Sequence, residues 1–233
     1  PFGNLPLPQL EELCSSSLEY HSNTSCICTV ETPDYRYCRI QNLRVDFSKF
    51  YVDQITNDYK PAFQHEFAFS VPCSTSKPST VTNRLIQRSF GGYKKEGFGT
   101  LRLDFDGLSA NTCDLVVNGT TVILIRDWYT NIYHRYMNDL LPLFAALVKL
   151  RMLDENGTIT TVDGKEMDIL LLDFMENRGH YAELYTMFTS RPVETFKSKY
   201  PSKPIVCFQD AIFGLGRSWE TWIPWLGKLT TSK

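Results

Sequence analysis

The strongest periodic pattern in the chain predicts a helix over residues 131–150. Apolar side chains recur there at helical spacing and are predicted to form one broad face, made of Ile132, Tyr133, Tyr136, Met137, Leu140, Leu143, Phe144, Leu147 and Val148. The polar side chains of the first two turns are predicted to form the opposite face: Asn131, His134, Arg135, Asn138 and Asp139. Pro142 has no amide hydrogen to donate to the preceding turn, so the sequence also predicts a kink there.

Strands are predicted upstream of this helix. Residues 43–47 and 101–105 alternate between apolar and polar positions with the period of a half-buried strand. The apolar run at 115–125 is interrupted by Asn118-Gly119, a pair that favours a two-residue hairpin turn. The run is therefore predicted to fold back on itself as a β-hairpin.

Downstream of the helix the pattern changes to short runs that are apolar on both faces. These runs lie at 169–172 and 205–208, and a second helix is predicted between them at 180–188. Alternating strands and helices of this kind are typical of a parallel sheet covered by helices. The predicted fold class is therefore α/β.

The chain is predicted to divide near residue 43. Residues 1–42 are predicted to be an irregular segment held by disulfides, and residues 43–233 to be the α/β domain, with a β-rich part at 43–118. Four of the seven cysteines crowd into the first segment: Cys14, Cys26, Cys28 and Cys38. Their spacing lacks the second pair of ligands that a zinc site needs, so no metal is expected.

Charge and hydropathy exclude some classes of function. The chain has 233 residues, a net charge of −2 and no long basic run, which disfavours nucleic acid as a partner. No apolar run reaches the length of a membrane span. Because the chain begins at Pro1 instead of Met, upstream sequence is expected to be missing, and a membrane is expected as a partner only through an anchor in that missing part.

The cysteines and three sequons favour an oxidising compartment. Asn23, Asn118 and Asn156 each begin an Asn-x-Ser/Thr triplet and are candidate N-glycosylation sites. Disulfides and N-linked glycans both belong to proteins of the secretory pathway. The sequence therefore predicts a lumenal or extracellular location.

Ligands of open parallel sheets bind beyond the carboxyl ends of the strands. Arg126 follows the first strand, and its guanidinium could bind an anionic group. Glu176 and His180 follow the second strand, and Asp210 follows the third. The polar turns of the long helix are expected at the same edge, where His134 and Asp139 could exchange protons with a hydroxyl.

Structural roles account for the same residues equally simply. Arg126 could pair with Asp139 or Asp127 as a structural ion pair, and Asn131 could serve as the helix N-cap. Three tryptophans near the end of the chain could stack on sugar rings, although core packing is favoured: Trp219, Trp222 and Trp225.

Three short motifs, in order, resemble the N-terminal half of glycosyltransferase family 61. They are CRIQNLRVD at 38–46, NIYHRYMNDLLPLF at 131–144 and KPIVCFQDAIFG at 203–214. The resemblance implies a GT-B-like, Rossmann-like N-terminal domain. It further implies an inverting, metal-independent transfer of N-acetylglucosamine or xylose from a UDP-sugar to a glycoprotein or glycan hydroxyl, in the endoplasmic reticulum or Golgi.

The resemblance also implies roles for individual residues. Catalytic roles are carried over to His134 and Asp139, and roles in substrate binding are expected for Arg126, Asn131, Asn138, Glu176, His180 and Asp210. Some family members carry Asp-Tyr-Asp where this chain has Ser190-Arg191-Pro192.

The His-Gly-Ala-Gly run of the family's donor-binding domain is absent from these residues, so the chain is expected to be a fragment. Two other functions stay open: a secreted carbohydrate- or protein-binding module without catalysis, and a different enzyme acting on sugar phosphates.

Overall fold

The structure is a computed structural model, and it describes residues 9–16, 24–29, 37–49, 51–52, 61–62, 69–71, 86–87, 100–101, 113–124, 131–154, 156–172, 181–202 and 204–213. Of the residues expected to form the site, Arg126, Glu176 and His180 lie outside these ranges, and so does the sequon residue Asn23. Within the ranges, no helix combines the length and apolar character that crossing a bilayer requires.

Twelve strands are assigned within the described residues: β1 Leu10–Ser16, β2 Thr24–Thr29, β3 Cys38–Asp46, β4 Tyr51–Val52, β5 Pro61–Ala62, β6 Phe69–Ser70, β7 Ile86–Gln87, β8 Thr100–Leu101, β9 Leu115–Leu124, β10 Asp168–Leu171, β11 Glu194–Thr195 and β12 Ile205–Phe213. The helices are α1 Ile132–His134, a π-helical segment Arg135–Leu140, α2 Leu141–Lys149, α3 Phe196–Lys199, and two 3₁₀ helices, Phe47–Lys49 and Ala182–Met187. We call the continuous run of α1, the π-helical segment and α2 the central helix.

The main sheet is mixed, with strand order β1-β2-β3-β12-β9-β10-β11 and β6 paired to β3. Four strands are parallel to one another, in the order β12, β9, β10 and β11. On the other side of β12, strand β3 pairs with it antiparallel. The central helix connects β9 to β10, which are adjacent and parallel. The predicted α/β class is confirmed at this level, as a mixed sheet that contains a parallel part.

The N-terminal region differs from its prediction as an irregular segment. Within the described residues it forms β1 and β2, and the proposed boundary between residues 42 and 43 falls inside β3. Cys28 and Cys38 are direct partners in the β2–β3 ladder and are joined by a disulfide. The expected disulfide is confirmed, and ladder pairing with buried cysteines gives the described part of this segment its strands.

The predicted hairpin at Asn118-Gly119 is also wrong. Strand β9 continues through this pair as one strand. In its ladder with β12, Phe208 lies opposite Val117, and the next pair is Asp210 opposite Thr120. Two residues of β9 thus lie opposite Gln209 alone, which defines a β-bulge. Gly119 has φ 87°, and its amide donates to Gln209 Oε1 at 3.1 Å. The left-handed conformation that suits Asn-Gly to hairpin turns serves a bulge here.

The irregularity extends across the sheet to β3. Asn42, with φ 59°, lies level with Gln209 in the β3–β12 register. Beyond this row the side chains change face: on β12, Phe208 and Ala211 pack in the same core although three positions separate them. This shift places Asp210 on the opposite face from Phe208.

Two cores cover the two faces. One joins β2, β3 and β12 with α3, and in it the ring of Phe47 stacks on the rings of Phe196 and Tyr200. The other lies under the central helix, where Leu143 and Leu147 pack with β9, β10 and Tyr185. The central helix is therefore fixed by its C-terminal half.

Substitution of Gly119 by alanine tests the bulge. We expect the free energy of unfolding to fall by about 2–3 kcal/mol, because the left-handed backbone costs roughly 1–2 kcal/mol and crowding adds about 1 kcal/mol. The crowding arises because an added Cβ would lie 3.1 Å from Asp163 Oδ2. Gly157→Ala is the matched control, since Gly157 also has positive φ but nothing within 4 Å of a Cβ. Equal losses in chemical denaturation would contradict the crowding at Gly119.

Candidate functional site

The N-terminal end of the central helix confirms part of the prediction. The helix begins after Asn131, whose side-chain oxygen accepts a hydrogen bond from the amide of Tyr133 at 2.9 Å. Asn131 is thus the N-cap, the structural role considered for it from the sequence. His134 ends α1 and Asn138 lies in the π-helical segment, and the side chains of both lie outside the described part of the structure.

The irregularity expected at Pro142 lies before the proline. The π-helical segment ends at Leu140, and Pro142 occupies the first turn of α2. A proline has no amide for the helical ladder, and a π-helical turn changes the ladder from i→i−4 to i→i−5 bonds.

Among the described side chains of the first turns, two of the predicted polar face are buried and three of the predicted apolar face are exposed. Arg135 and Asp139 are buried, with 1% and 0% of their surface exposed. Three residues of the predicted apolar face are exposed: Ile132 at 44%, Tyr133 at 59% and Tyr136 at 48%. From Leu140 onward the prediction is right, because Leu140, Leu143 and Leu147 are buried. Arg135 and Asp139 share an i, i+4 row with Leu143 and Leu147, which accounts for their burial on the same side of the helix.

Burial of Arg135 and Asp139 is compensated by Tyr185 of the 3₁₀ helix Ala182–Met187. Arg135 Nη1 donates to Tyr185 Oη at 2.8 Å and lies 3.4 Å from Asp139 Oδ2. The Tyr185 hydroxyl donates to the same carboxylate oxygen at 3.2 Å, and the guanidinium lies 5.0 Å from the Tyr185 ring centroid. We call Arg135, Asp139 and Tyr185 the buried triad. It fixes the polar end of the central helix to the segment that follows β10.

The buried triad changes the reading of Asp139. Its carboxylate is engaged by two donors beneath the surface, so an acceptor hydroxyl reaches it only if the triad opens. Within the described residues Asp139 pairs with Arg135, and the ion pair considered between Asp139 and Arg126 lies outside them. The catalytic role of Asp139 stays a prediction.

Asp210 does not lie at the carboxyl edge, because β12 extends to Phe213 instead of ending at 208. Its carboxylate accepts hydrogen bonds from Arg39 Nε at 2.8 Å, from Arg39 Nη2 at 3.0 Å and from the hydroxyl of Thr120 at 2.6 Å. Asp210 is fully buried. These bonds join β3, β12 and β9 in the middle of the sheet, so the expected position of Asp210 at a strand end is wrong, whereas its role in substrate binding stays a prediction.

A further polar cluster lies at the amino end of β10. Asp168 pairs with Arg191 at 2.9 Å and raises the pKa of its guanidinium. Two hydrogen bonds from Ser190, led by the one from its hydroxyl, lower the pKa of the Glu166 carboxyl. Ser190 and Arg191 therefore have structural partners at the edge opposite to the one where a ligand is expected.

The cysteines form a second group that chemistry could use. The sulfurs of Cys26, Cys28 and Cys38 all lie within 4.8 Å of one another. The disulfide between Cys28 and Cys38 occupies two of the three sulfurs, so in this state the group cannot act as a set of thiolate ligands.

The sequence contained a signal for the buried triad that was not used. Arg135 and Asp139 stand in the same i, i+4 row as Leu143 and Leu147, and such a row lies on one side of a helix. An ion pair continuing an apolar row indicates a buried pair. Tyr185 and Arg39 carried no comparable signal, because their partners are distant in the chain.

No protein-family model matches this chain, and no curated protein matches its sequence. The geometry alone therefore indicates what the site could do. It offers an exposed, tyrosine-bearing helix start that follows β9 in the chain, and ligands of parallel sheets bind beyond the carboxyl ends of the strands.

Proposed function

We propose that this chain is the acceptor-side domain of an inverting glycosyltransferase of family 61, with a GT-B-like architecture. It transfers N-acetylglucosamine or xylose from a UDP-sugar to a glycoprotein or glycan hydroxyl, without a metal, in the lumen of the endoplasmic reticulum or Golgi. The order of the three motifs supports the proposal. The parallel β12-β9-β10-β11 strands fit the half-domain, and the disulfides fit the oxidising lumen.

The observation that carries the proposal is the exposed start of the central helix. Tyr133 and Tyr136 present aromatic rings to solvent within two turns of the N-cap Asn131. Aromatic faces combined with amide groups suit a sugar, which has apolar ring faces and hydroxyl edges. The buried triad holds this surface in place, and a preorganised surface is what orientation of an acceptor hydroxyl requires.

The chemistry assigns a separate task to each residue. His134 removes the proton of the acceptor hydroxyl while the hydroxyl oxygen attacks the anomeric carbon of the donor sugar and UDP leaves. Arg126 stabilises the negative charge of the leaving diphosphate. Asp139 acts through Arg135 as a positioning residue, and Asn131, Asn138, Glu176 and His180 bind hydroxyl groups of the substrates.

A second function is favoured by one observation. Asp139 is fully buried and engaged, so it presents no carboxylate to an acceptor hydroxyl, and a binding module requires none. The exposed tyrosines would then bind a glycan without transfer. A donor panel separates the two functions, because a module binds glycans but releases no UDP.

The test uses the complete secreted protein with UDP-N-acetylglucosamine and UDP-xylose in the presence of a chelator. We expect transfer from one donor, and His134→Ala and Arg126→Ala are each expected to lower kcat/KM at least tenfold, which is about 1.4 kcal/mol. Lys197→Ala, at an exposed position of α3, is the control and should keep full activity. Full transfer by both site variants would place the site elsewhere, and glycan binding without transfer from either donor would favour the module.

A further inference from the structure

The exposed face of β9 carries an apolar side chain beside a sequon. Val116 is 58% exposed, and Asn118, two positions along the strand, is exposed as well. Alternation along a strand places these two side chains on one face, whereas Val117 between them packs against the opposite core. Gln209, across the bulge on β12, is also exposed. An apolar residue of a central strand is thus open to solvent next to a potential glycan.

The rest of this sequon is inaccessible in the folded chain. Thr120 is 2% exposed, and its hydroxyl donates to Asp210 at 2.6 Å. Gly119 is buried with its amide bound to Gln209, Thr120 is paired with Asp210 of β12, and pairing with β10 begins at the next residue, Thr121. A sequon is recognised as an accessible peptide that includes its hydroxyl residue. The glycosylating enzyme therefore cannot bind this segment once β9 lies in the sheet.

The sequon at Asn156 provides the contrast. Asn156, Gly157 and Thr158 are all exposed, in a turn where Asp154 accepts the amides of Asn156 and Thr158 at 2.9 and 2.7 Å. Neither edge of this turn is part of the main sheet. It can be recognised before or after the chain folds.

We infer that Asn118 receives an N-linked glycan before β9 enters the sheet, and that this glycan afterwards covers the exposed surface around Val116. The amide nitrogen of Asn118 attacks the anomeric carbon of a pyrophosphate-linked oligosaccharide. The new C–N bond replaces the anomeric C–O bond, the nitrogen loses one proton, and the lipid pyrophosphate leaves. The inference depends on passage through the secretory pathway and not on transferase activity of the chain.

The position of Asn118 makes Val116 the natural contact of the first sugar. Side chains two positions apart on a strand are about 7 Å apart, which is within the reach of an asparagine-linked pyranose. The apolar face of that ring can then exclude water from the valine. In the described part of its turn the side chains of Asp154, Asn156 and Thr158 are exposed and polar, so a glycan at Asn156 has no apolar neighbour among them.

Timing is tested with glycan-free, correctly oxidised protein, as folded chain and as reduced, alkylated unfolded chain. Both are incubated with solubilised glycosylating enzyme and a lipid-linked oligosaccharide, and occupancy is measured by peptide mass. In folded protein we expect Asn156 to be glycosylated and the occupancy of Asn118 to be less than a tenth of that at Asn156. In unfolded chain we expect both sites to be glycosylated. Comparable occupancy of the two sites in folded protein overturns the inference, and so does an unoccupied Asn118 in protein secreted from cells.

Coverage is tested with Asn118→Gln and its matched control Asn156→Gln, both made in secretory cells. We expect Asn118→Gln to increase fluorescence of an apolar-surface dye at least twofold, Asn156→Gln to leave it unchanged, and Val116→Thr added to Asn118→Gln to restore the original signal. If Asn118→Gln is not secreted, enzymatic removal of the glycans from folded wild-type protein gives the same comparison. An equal signal from the two single variants, or no increase after glycan removal, overturns the coverage.

Discussion

Replacement of Cys113 and Cys207 by alanine is expected to lower the free energy of unfolding by about 4–5 kcal/mol. This disulfide closes a sequence separation of 94 residues. In the unfolded chain the bond restricts a long loop, and the entropy removed from that state grows with the logarithm of loop length. The closed loop contains β9, the central helix, β10 and β11. The bond therefore assists the parallel pairing of β9 with β12, which brings distant segments together.

The second disulfide is the matched control. Cys28 and Cys38 are separated by 10 residues, so loop closure predicts a loss of about 2.5–3 kcal/mol for the corresponding double alanine variant. Both variants are compared with the wild type by denaturant unfolding at one temperature. A smaller loss for Cys113/Cys207 than for Cys28/Cys38 would show that local packing, instead of loop length, sets the contribution of these bonds.

The parts of the fold that depend on local pattern were predictable. The central helix has strong periodicity and β10 a continuous apolar run, and the structure has both close to where the pattern predicts them, whereas β9 and β12 were predicted at the right places but with wrong extents. Their order along the chain also predicted the parallel part of the sheet. Short-range spacing carries enough information for elements of this kind.

The parts that depend on distant partners were not predictable. Asn118-Gly119 suits a hairpin turn and a bulge equally, and only the register against β12 decides between them. The spacing of Arg135 and Asp139 signals a buried pair, but their partner Tyr185 is 50 positions from Arg135 and carries no local signal. Asp210 was placed at a strand end because its charge ended the apolar run, whereas Arg39 and Thr120 allow the strand to continue through it.

The buried triad accounts for the second large effect. Asp139→Ala is expected to lower the free energy of unfolding by about 3–5 kcal/mol, because it leaves the guanidinium of Arg135 buried without its carboxylate. Arg135 and Asp139 are 1% and 0% exposed, so water cannot replace the lost partner. Arg191→Ala is the control: its pair with Asp168 is 39% and 19% exposed, and we expect a loss of about 1 kcal/mol or less. Equal losses would contradict the burial of the triad.

Two tyrosines separate the contribution of the triad's hydrogen bonds from that of its packing. Tyr185→Phe removes the hydroxyl that bonds both Arg135 and Asp139, and we expect it to cost about 1.5–3 kcal/mol. Tyr200→Phe removes a buried hydroxyl that has no hydrogen-bond partner within the described residues, and burial raises its pKa. Because no bond is lost there, this variant should be neutral or slightly more stable.

The double variant Arg135→Met/Asp139→Leu should lose less stability than Asp139→Ala, since it removes both charges and leaves no buried charge without its partner. If the double variant is less stable than Asp139→Ala, the charges of the triad stabilise the fold. If it is more stable, the main contribution of the triad is to orient the exposed tyrosines. In that case the double variant should still fold but lose the sugar binding proposed above.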